Sequence, residues 1–383
     1  MPETNNYNWG ERAIFYANRI CFPRLTGTEG EKRAAGIIQK RLVELGYQVQ
    51  SETFPIYKTP WNHTRFLMGC CLILLLISRF LFISNAVMAG VLALVVVFIG
   101  IGGGEYWLNL VGRAGKQPIA FSENIWADSN PGENKTKILF CAHYDSKSQT
   151  LKLKRRIYWL GSGLGATVML SLVYFVYPLF PHPWLVRTTE VLLLTGGIVA
   201  VRLMVVGTGN ESPGALDNAS GVGMVLACAE YFIKHPPSGF SARFLFPSAE
   251  EFGLQGSIRY VQTHRHEIED TLVINFDGLG LKGALRWVTS LNQSRNRLVE
   301  RVIEAAGKTA VSIESLPLYP GLMMDHIPFM KHTSSVVSLC CAASSSGLIH
   351  SPDDKSELLE SEGFSELGEV IEELVGSLQS ARS

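Results

Sequence analysis

Two histidines and five carboxylates stand just beyond short apolar runs or in a tight turn of this sequence. His143 and Asp145 follow 137–141 (KILFC), Glu250 and Glu251 follow 243–246 (RFLF), Asp277 directly follows 271–276 (TLVINF), and His350 lies beyond 335–340 (SVVSLC). Asp217 sits in the turn 214–221 (GALDNASG), which opens a helical stretch. Continuous apolar runs of this length read as strands buried on both faces. In an open α/β sheet, residues just past the carboxyl ends of the strands share one crevice, whatever their separation in sequence. Imidazoles and carboxylates gathered on that edge would repel one another unless counter-charged. Divalent metal resolves this: such ligands suit zinc, with cobalt or manganese as substitutes, and a pair of ions needs one carboxylate able to bridge. Two ions would activate a shared water and polarise a carbonyl, while a nearby carboxylate not bound to metal moves the proton.

The elements that must position these residues alternate in type. Amphipathic helix surrounds a Gly-rich turn within 13–45, and strands are predicted at 47–57 and 122–127. Helical stretches at 221–233, 254–263 and 292–306 then alternate with the apolar runs. Alternation of this kind predicts an α/β domain whose mixed central sheet is mostly parallel and flanked by helices on both faces. Glycines 161, 163 and 165 fall inside an apolar block and follow no strand, so close helix packing explains them better than a phosphate loop.

With 383 residues and 47% hydrophobic composition, the chain is too apolar for an ordinary soluble domain. Two blocks, 66–107 and 157–206, hold the excess. At 1.5 Å per residue each could cross a bilayer core of about 30 Å twice. Breaks at Ser84-Asn85 and at 178–183 (PLFPHP) predict four transmembrane helices in two inserted hairpins. Roughly 290 residues remain, enough for one large domain built from 1–65, 108–156 and 207–383. Lys58, Arg65, Arg113, Lys116, Lys152, Lys154, Arg155 and Arg156 flank the blocks on the domain side, and the hairpin turns carry no Lys or Arg. By the positive-inside rule the domain is expected on the cytoplasmic side of a multi-pass membrane protein. The polar N-terminal segment MPETNNYNWGER, without a signal-peptide core, agrees. Zero net charge gives no basic surplus for nucleic acid. The seven cysteines follow no disulfide or zinc-finger spacing and read as reduced, mostly buried thiols.

The ordered motifs resemble the M28 family of metallopeptidases. They are His143-Tyr144-Asp145, Leu216-Asp217-Asn218-Ala219-Ser220-Gly221, Glu250-Glu251-Phe252-Gly253-Leu254-Gln255-Gly256-Ser257, Asn275-Phe276-Asp277 and His350. The resemblance implies a zinc aminopeptidase-like fold, two divalent ions, most readily zinc, and peptide substrates with a free N-terminus. It further implies that one ion takes His143, Asp217 and Glu251, the other Asp217, Asp277 and His350, with Asp217 bridging. Glu250 would be the general base and then the acid. Asp145 would orient His143, a role that follows independently from the need to fix a ligand's ring. The stretch 325–329 (DHIPF) resembles a family segment near the substrate pocket, and His326 is not expected to bind metal.

An HxD alone is commonly a surface pair and an EE pair a solvated helix face; their combination in family order carries the reading. Two other readings stay open: a single-zinc glutaminyl cyclase-like acyltransferase, which shares the fold, and a membrane scaffold or receptor without activity. A full ligand set including His143 favours two ions and hydrolysis. The sequence leaves residue preference and oligomeric state open.

Overall fold

The structure, a computed structural model, describes residues 7–56, 60–103, 117–129, 136–237, 239–289, 296–317 and 323–380. Lys58, Arg113 and Lys116 lie outside these residues. The chain divides into two compact units, one of 1–56, 118–148 and 209–383, the other of 57–117 and 149–208.

The strands are β1 (Val49–Ile56), β2 (Ala120–Asp128), β3 (Thr136–Cys141), β4 (Ser148–Gln149), β5 (Thr208–Gly209), β6 (Phe240–Phe246), β7 (Leu272–Phe276), β8 (Leu285–Val288), β9 (Glu314–Ser315) and β10 (Val336–Cys341). In the first unit eight of them form one sheet, in the order β1-β2-β6-β3-β7-β10-β8-β9, while β4 and β5 pair with each other. The central strands β6, β3, β7 and β10 run parallel. β2 joins β1 and β6 antiparallel, and β8 is antiparallel to β10. Neither β8 nor β9 was legible as an apolar run.

Every residue of β6 and β10 is buried, as strands covered on both faces require, including Arg243 of β6, which pairs with Asp128 at 2.6 Å. Alternate side chains serve opposite layers. Ile138 and Phe140 of β3 join the core built with helices Trp9–Ile20, Glu29–Glu44, Ser220–Lys234, Arg297–Lys308 and Ser361–Ser380. Leu139 and Cys141 join a smaller core with Tyr260, Val261, Ile268 and Phe329. Phe140 stacks between Phe244 and Phe276 of the flanking strands, with ring centroids 6.1 and 6.0 Å apart. Burying each of these rings contributes about 2–3 kcal/mol. The helix expected over 292–306 begins at Arg297, because the Asn296 side chain accepts from the Leu298 and Val299 amides and caps it.

The second unit contains helices Pro60–Phe82, Ala86–Phe98, Leu153–Val176 and Pro183–Met204. Three stretches are long and apolar enough to cross a membrane: Arg65–Phe82, Lys154–Val176 and Pro183–Met204. The fourth, Ala86–Ile101, is apolar but shorter. At 1.5 Å per residue it reaches only about 24 Å. Phe80, Ile83, Val191 and Leu194 are exposed, whereas Leu75, Phe82, Ala93, Leu170 and Tyr174 pack inside this unit. Arg79 pairs with Glu190 at 3.2 Å. Of the three spaced glycines, Gly163 alone is pressed on a neighbour, where a Cβ would meet Val199 at 2.6 Å.

Candidate metal centre

The sheet register explains why distant residues meet. Cys141 at the end of β3 is level with Leu245 of β6 and Asn275 of β7, so the segments after all three strands leave by the same edge. From β3 the chain continues to β6 on one side and then to β7 on the other. The connections therefore part above β3 and leave a crevice there.

Into that crevice project the side chains singled out from the sequence. His143 Nε2 lies 3.3 Å from Asp217 Oδ1 and 3.9 Å from Asp277 Oδ1. His350 Nε2 lies 2.9 Å from Asp217 Oδ2 and 3.1 Å from Glu251 Oε1. The donors thus form two groups, His143–Asp217–Asp277 and Asp217–Glu251–His350, that share Asp217. This corrects the division expected from the sequence, because Glu251 and Asp277 exchange places. Asp277 directly follows β7, the neighbour of β3, and so stands by His143; Glu251 lies well beyond the end of β6 and is carried toward His350. Of the atoms that face one another in these groups, His143 Nε2 and Glu251 Oε1 are buried without a hydrogen-bond partner of good geometry among the described residues. Unsatisfied donor atoms of this kind, beside several buried carboxylates, suit divalent cations.

Asp217 is presented by a turn with several anchors. Asp354 accepts from the Leu216 amide at 2.7 Å and the Asp217 amide at 3.2 Å. Asn218, joined to Asp217 by a cis peptide bond, donates to the Phe276 carbonyl at 2.8 Å and so ties the turn to the strand end that bears Asp277. Gly221 is required here, since a Cβ would lie 2.3 Å from Asn218 Oδ1 and 2.5 Å from the Phe276 carbonyl oxygen. Behind His143, Asp145 is fully buried. One of its oxygens lies 3.4 Å from His143 Nδ1, and the carboxylate also accepts from Thr26 Oγ1 at 2.9 Å and from the Glu250 and Glu251 amides, each at 3.2 Å. It therefore fixes the glutamate loop as well as the imidazole. His350 itself has φ of 62°, a left-handed conformation uncommon outside Gly, Asn, Asp and His.

A second buried carboxylate braces this loop. Glu31 accepts from Ser122 Oγ, Ser248 Oγ and the Gly27 amide. Burial raises its pKa from 4.5 to about 7, against the lowering effect of those donors. The folded chain then holds a proton that the unfolded chain releases between those values, so this group's contribution to stability falls as pH rises through that window. Glu31→Gln is expected to remove that dependence: the metal-free variant gains on wild type by up to about 3 kcal/mol between pH 5 and pH 8. Denaturant titration in detergent reads the difference, and parallel stability curves for the two proteins would refute it.

The paired glutamates are driven apart electrostatically. Burial raises Glu250 well above the usual carboxylate range, with Glu251, Asp325 and Asp277 adding to the effect and His143 opposing it. Burial also acts on Glu251, but His350 and Lys147 outweigh it and hold this carboxylate below its ordinary value. Asp217 is pulled well down by its two imidazoles despite burial. Burial would lower His143, yet Asp145, Asp217 and Asp277 hold it well above the usual imidazole value. Opposed shifts in adjacent carboxyls separate a group that exchanges protons from one that stays ionised.

Lys147 and Arg24 escaped the sequence reading, and Asp325 was noted only as part of the stretch 325–329. Lys147 places Nζ 2.5 Å from Glu251 Oε2. Arg24, fully buried, donates to the carbonyls of Tyr144 at 2.7 Å and Gly214 at 2.8 Å, joining the loop after β3 to the turn that bears Asp217. Asp325 is fully buried, and burial pushes its carboxyl to about 7. His326 lies outside both donor groups; its Nδ1 is 2.6 Å from Ser338 Oγ, and burial lowers its pKa to about 4. For Asp354, which anchors Asp217, a usable sequence signal was the acidic pair Asp353-Asp354 closely following His350.

Residues 190–375 match the family described as Peptidase family M28, a stretch that includes Asp217, Glu250, Glu251, Asp277 and His350 and begins after His143 and Asp145. Aminopeptidase YwaD of Bacillus subtilis (strain 168) is 31% identical over 170 residues, 42% of this chain and 36% of that protein. The match thus spans little more than a third of the relative's length. The solved structure of BSAP, a zinc aminopeptidase from Bacillus subtilis, is similar with a TM-score of 0.58 at 16% identity, covering 96% of this chain and 95% of that one. Acidobacteriales bacterium glutaminyl cyclase is similar with a TM-score of 0.57 at 15% identity, covering 100% and 99%. At such identities the likeness is one of fold.

Proposed function

We propose that this chain is a member of peptidase family M28 and a membrane-anchored, zinc-dependent aminopeptidase that hydrolyses the peptide bond next to a free N-terminus. The observation that carries this reading is the pair of donor groups sharing Asp217, with the buried Glu250 outside both groups and next in sequence to one of their carboxylates. His143, Asp217 and Asp277 would hold one ion, and Asp217, Glu251 and His350 the other. Ions of this type, when bound, supply Lewis acidity toward a scissile carbonyl and toward water.

The chain's own residues do the rest. Glu250 takes a proton from water as the water oxygen adds to the scissile carbonyl carbon. It then delivers that proton to the departing amine nitrogen, so the carboxylate ends the cycle as it began. Its burial suits both halves of the exchange, because a carboxyl of raised proton affinity is a stronger base and still a competent acid. Asp145 holds His143 in one ring orientation. Asp354 and Asn218 keep Asp217 facing both imidazoles.

The fold is shared with glutaminyl cyclases, so it does not choose between the reactions; the complete His143–Asp217–Asp277 group beside the other one supports hydrolysis with two ions over a single-zinc cyclase or an inactive scaffold. In detergent-purified protein, chelation is expected to abolish release of the first residue from free-amine peptides and zinc to restore it, with N-acetylated peptides left uncut. Conversion of N-terminal glutamine to its cyclic form without hydrolysis would favour the cyclase, and no turnover by zinc-loaded, folded protein would favour the scaffold.

The bilayer part of the proposal rests on Arg65–Phe82, Lys154–Val176 and Pro183–Met204, with Ala86–Ile101 completing the first hairpin. Arg65, Lys152, Lys154, Arg155 and Arg156 at the domain-side ends support a cytoplasmic peptidase domain. In the same protein, a cysteine at Ser84 should react with an impermeant maleimide added to intact cells; protection of that site would reverse the orientation.

A further inference from the structure

The two donor groups differ in what stands behind them. The outer nitrogen of His143 faces a carboxylate, Asp145, at 3.4 Å. The outer oxygen of Glu251 faces an ammonium, Lys147 Nζ, at 2.5 Å, while its inner oxygen lies 3.1 Å from His350 Nε2. Glu251 is nearly inaccessible and the Lys147 side chain only 13% exposed, so water screens this pair little. An anion behind an imidazole strengthens it as a ligand. A cation on a carboxylate does the reverse, because it takes up one of the two oxygens and repels an incoming metal ion.

We propose that Lys147 is a positioning residue for the Asp217–Glu251–His350 site: it holds Glu251 by the outer oxygen, leaves one oxygen for an ion, and keeps that ion weakly bound and exchangeable. This rests on the two-ion reading above. One end of the glutamate is fixed by the ammonium, so the carboxylate cannot turn to grip an ion with both oxygens. The charge of Lys147 lowers the affinity of this site without touching the His143–Asp217–Asp277 group, whose neighbouring charge has the opposite sign.

The test is a stepwise zinc titration of metal-stripped, full-length protein in detergent against a chromophoric chelator, with circular dichroism confirming the fold. Lys147→Met and Lys147→Gln are expected to tighten one of the two binding steps at least tenfold and leave the other unchanged. Lys147→Arg, which keeps the charge, is expected to retain the wild-type affinities. Weaker binding in both neutral variants, or two unchanged steps, overturns the role of Lys147. If folded wild-type protein binds no zinc, the metallopeptidase reading fails and the proposal fails with it, an outcome separable from the others because it appears before any substitution is made.

Discussion

Glu250→Gln is expected to lower kcat on free-amine peptides by about 10³-fold or more, near the upper end of what a general acid–base group contributes. The substitution keeps the size of the side chain and removes its ability to take a proton. Zinc content and thermal midpoint should stay near wild type, because Glu250 belongs to neither donor group and its amide contact with Asp145 is a backbone one. KM should change little, since the group acts on the transition state. Loss of the bound metal, or a variant retaining more than a tenth of wild-type kcat, would remove Glu250 from the role of base. Glu251→Gln makes the matching control. It removes the charge from a carboxylate of the second donor group that His350 and Lys147 hold below its ordinary value, so its defect should appear as lost metal.

Asp217→Asn is expected to have the broadest effect of any single change, because one carboxylate serves both groups. Each of its oxygens faces a different imidazole, at 3.3 Å for His143 and 2.9 Å for His350. An amide offers one acceptor oxygen and no charge, so neither group keeps its full set. Metal analysis after dialysis should find the two-ion content reduced to one or none, with activity lowered by about 10⁴-fold or more, on the scale of losing a metal-supplied barrier reduction of several kcal/mol. Asp277→Asn, by contrast, should impair only the His143 group. Equal metal loss in the two variants would mean that Asp217 does not bridge.

Much of this protein was legible without coordinates because the signals are local or collective. Continuous apolar runs such as KILFC and RFLF are required of strands covered on both faces, and they stand at β3 and β6. Residue types at their carboxyl ends named His143, Asp145, Glu250, Glu251 and Asp277, and the rule that such ends share a crevice brought them to one edge before any distance was known. The charge imbalance among them asked for metal. Hydropathy alone separated the apolar blocks, although length distinguishes Ala86–Ile101 from the three longer stretches only once its helix ends are seen.

What the sequence could not decide depends on side-chain direction and on partners far along the chain. The division of ligands is one case, since sequence order carries no information about which carboxylate faces which imidazole; the pairing of β7 with β3 and the reach of the loop after β6 decide it. Lys147 reads as an ordinary surface lysine until the loop after β3 folds it onto Glu251. Asp354, Glu31 and Arg24 read as loop or helix-surface charges, yet each is buried and holds backbone or hydroxyl groups from distant segments. Composition and periodicity fix which residues leave water and which strand ends meet, because these follow from burial summed over many side chains. The pairing of individual charged atoms follows from the path of each loop, and that exists only in the folded chain.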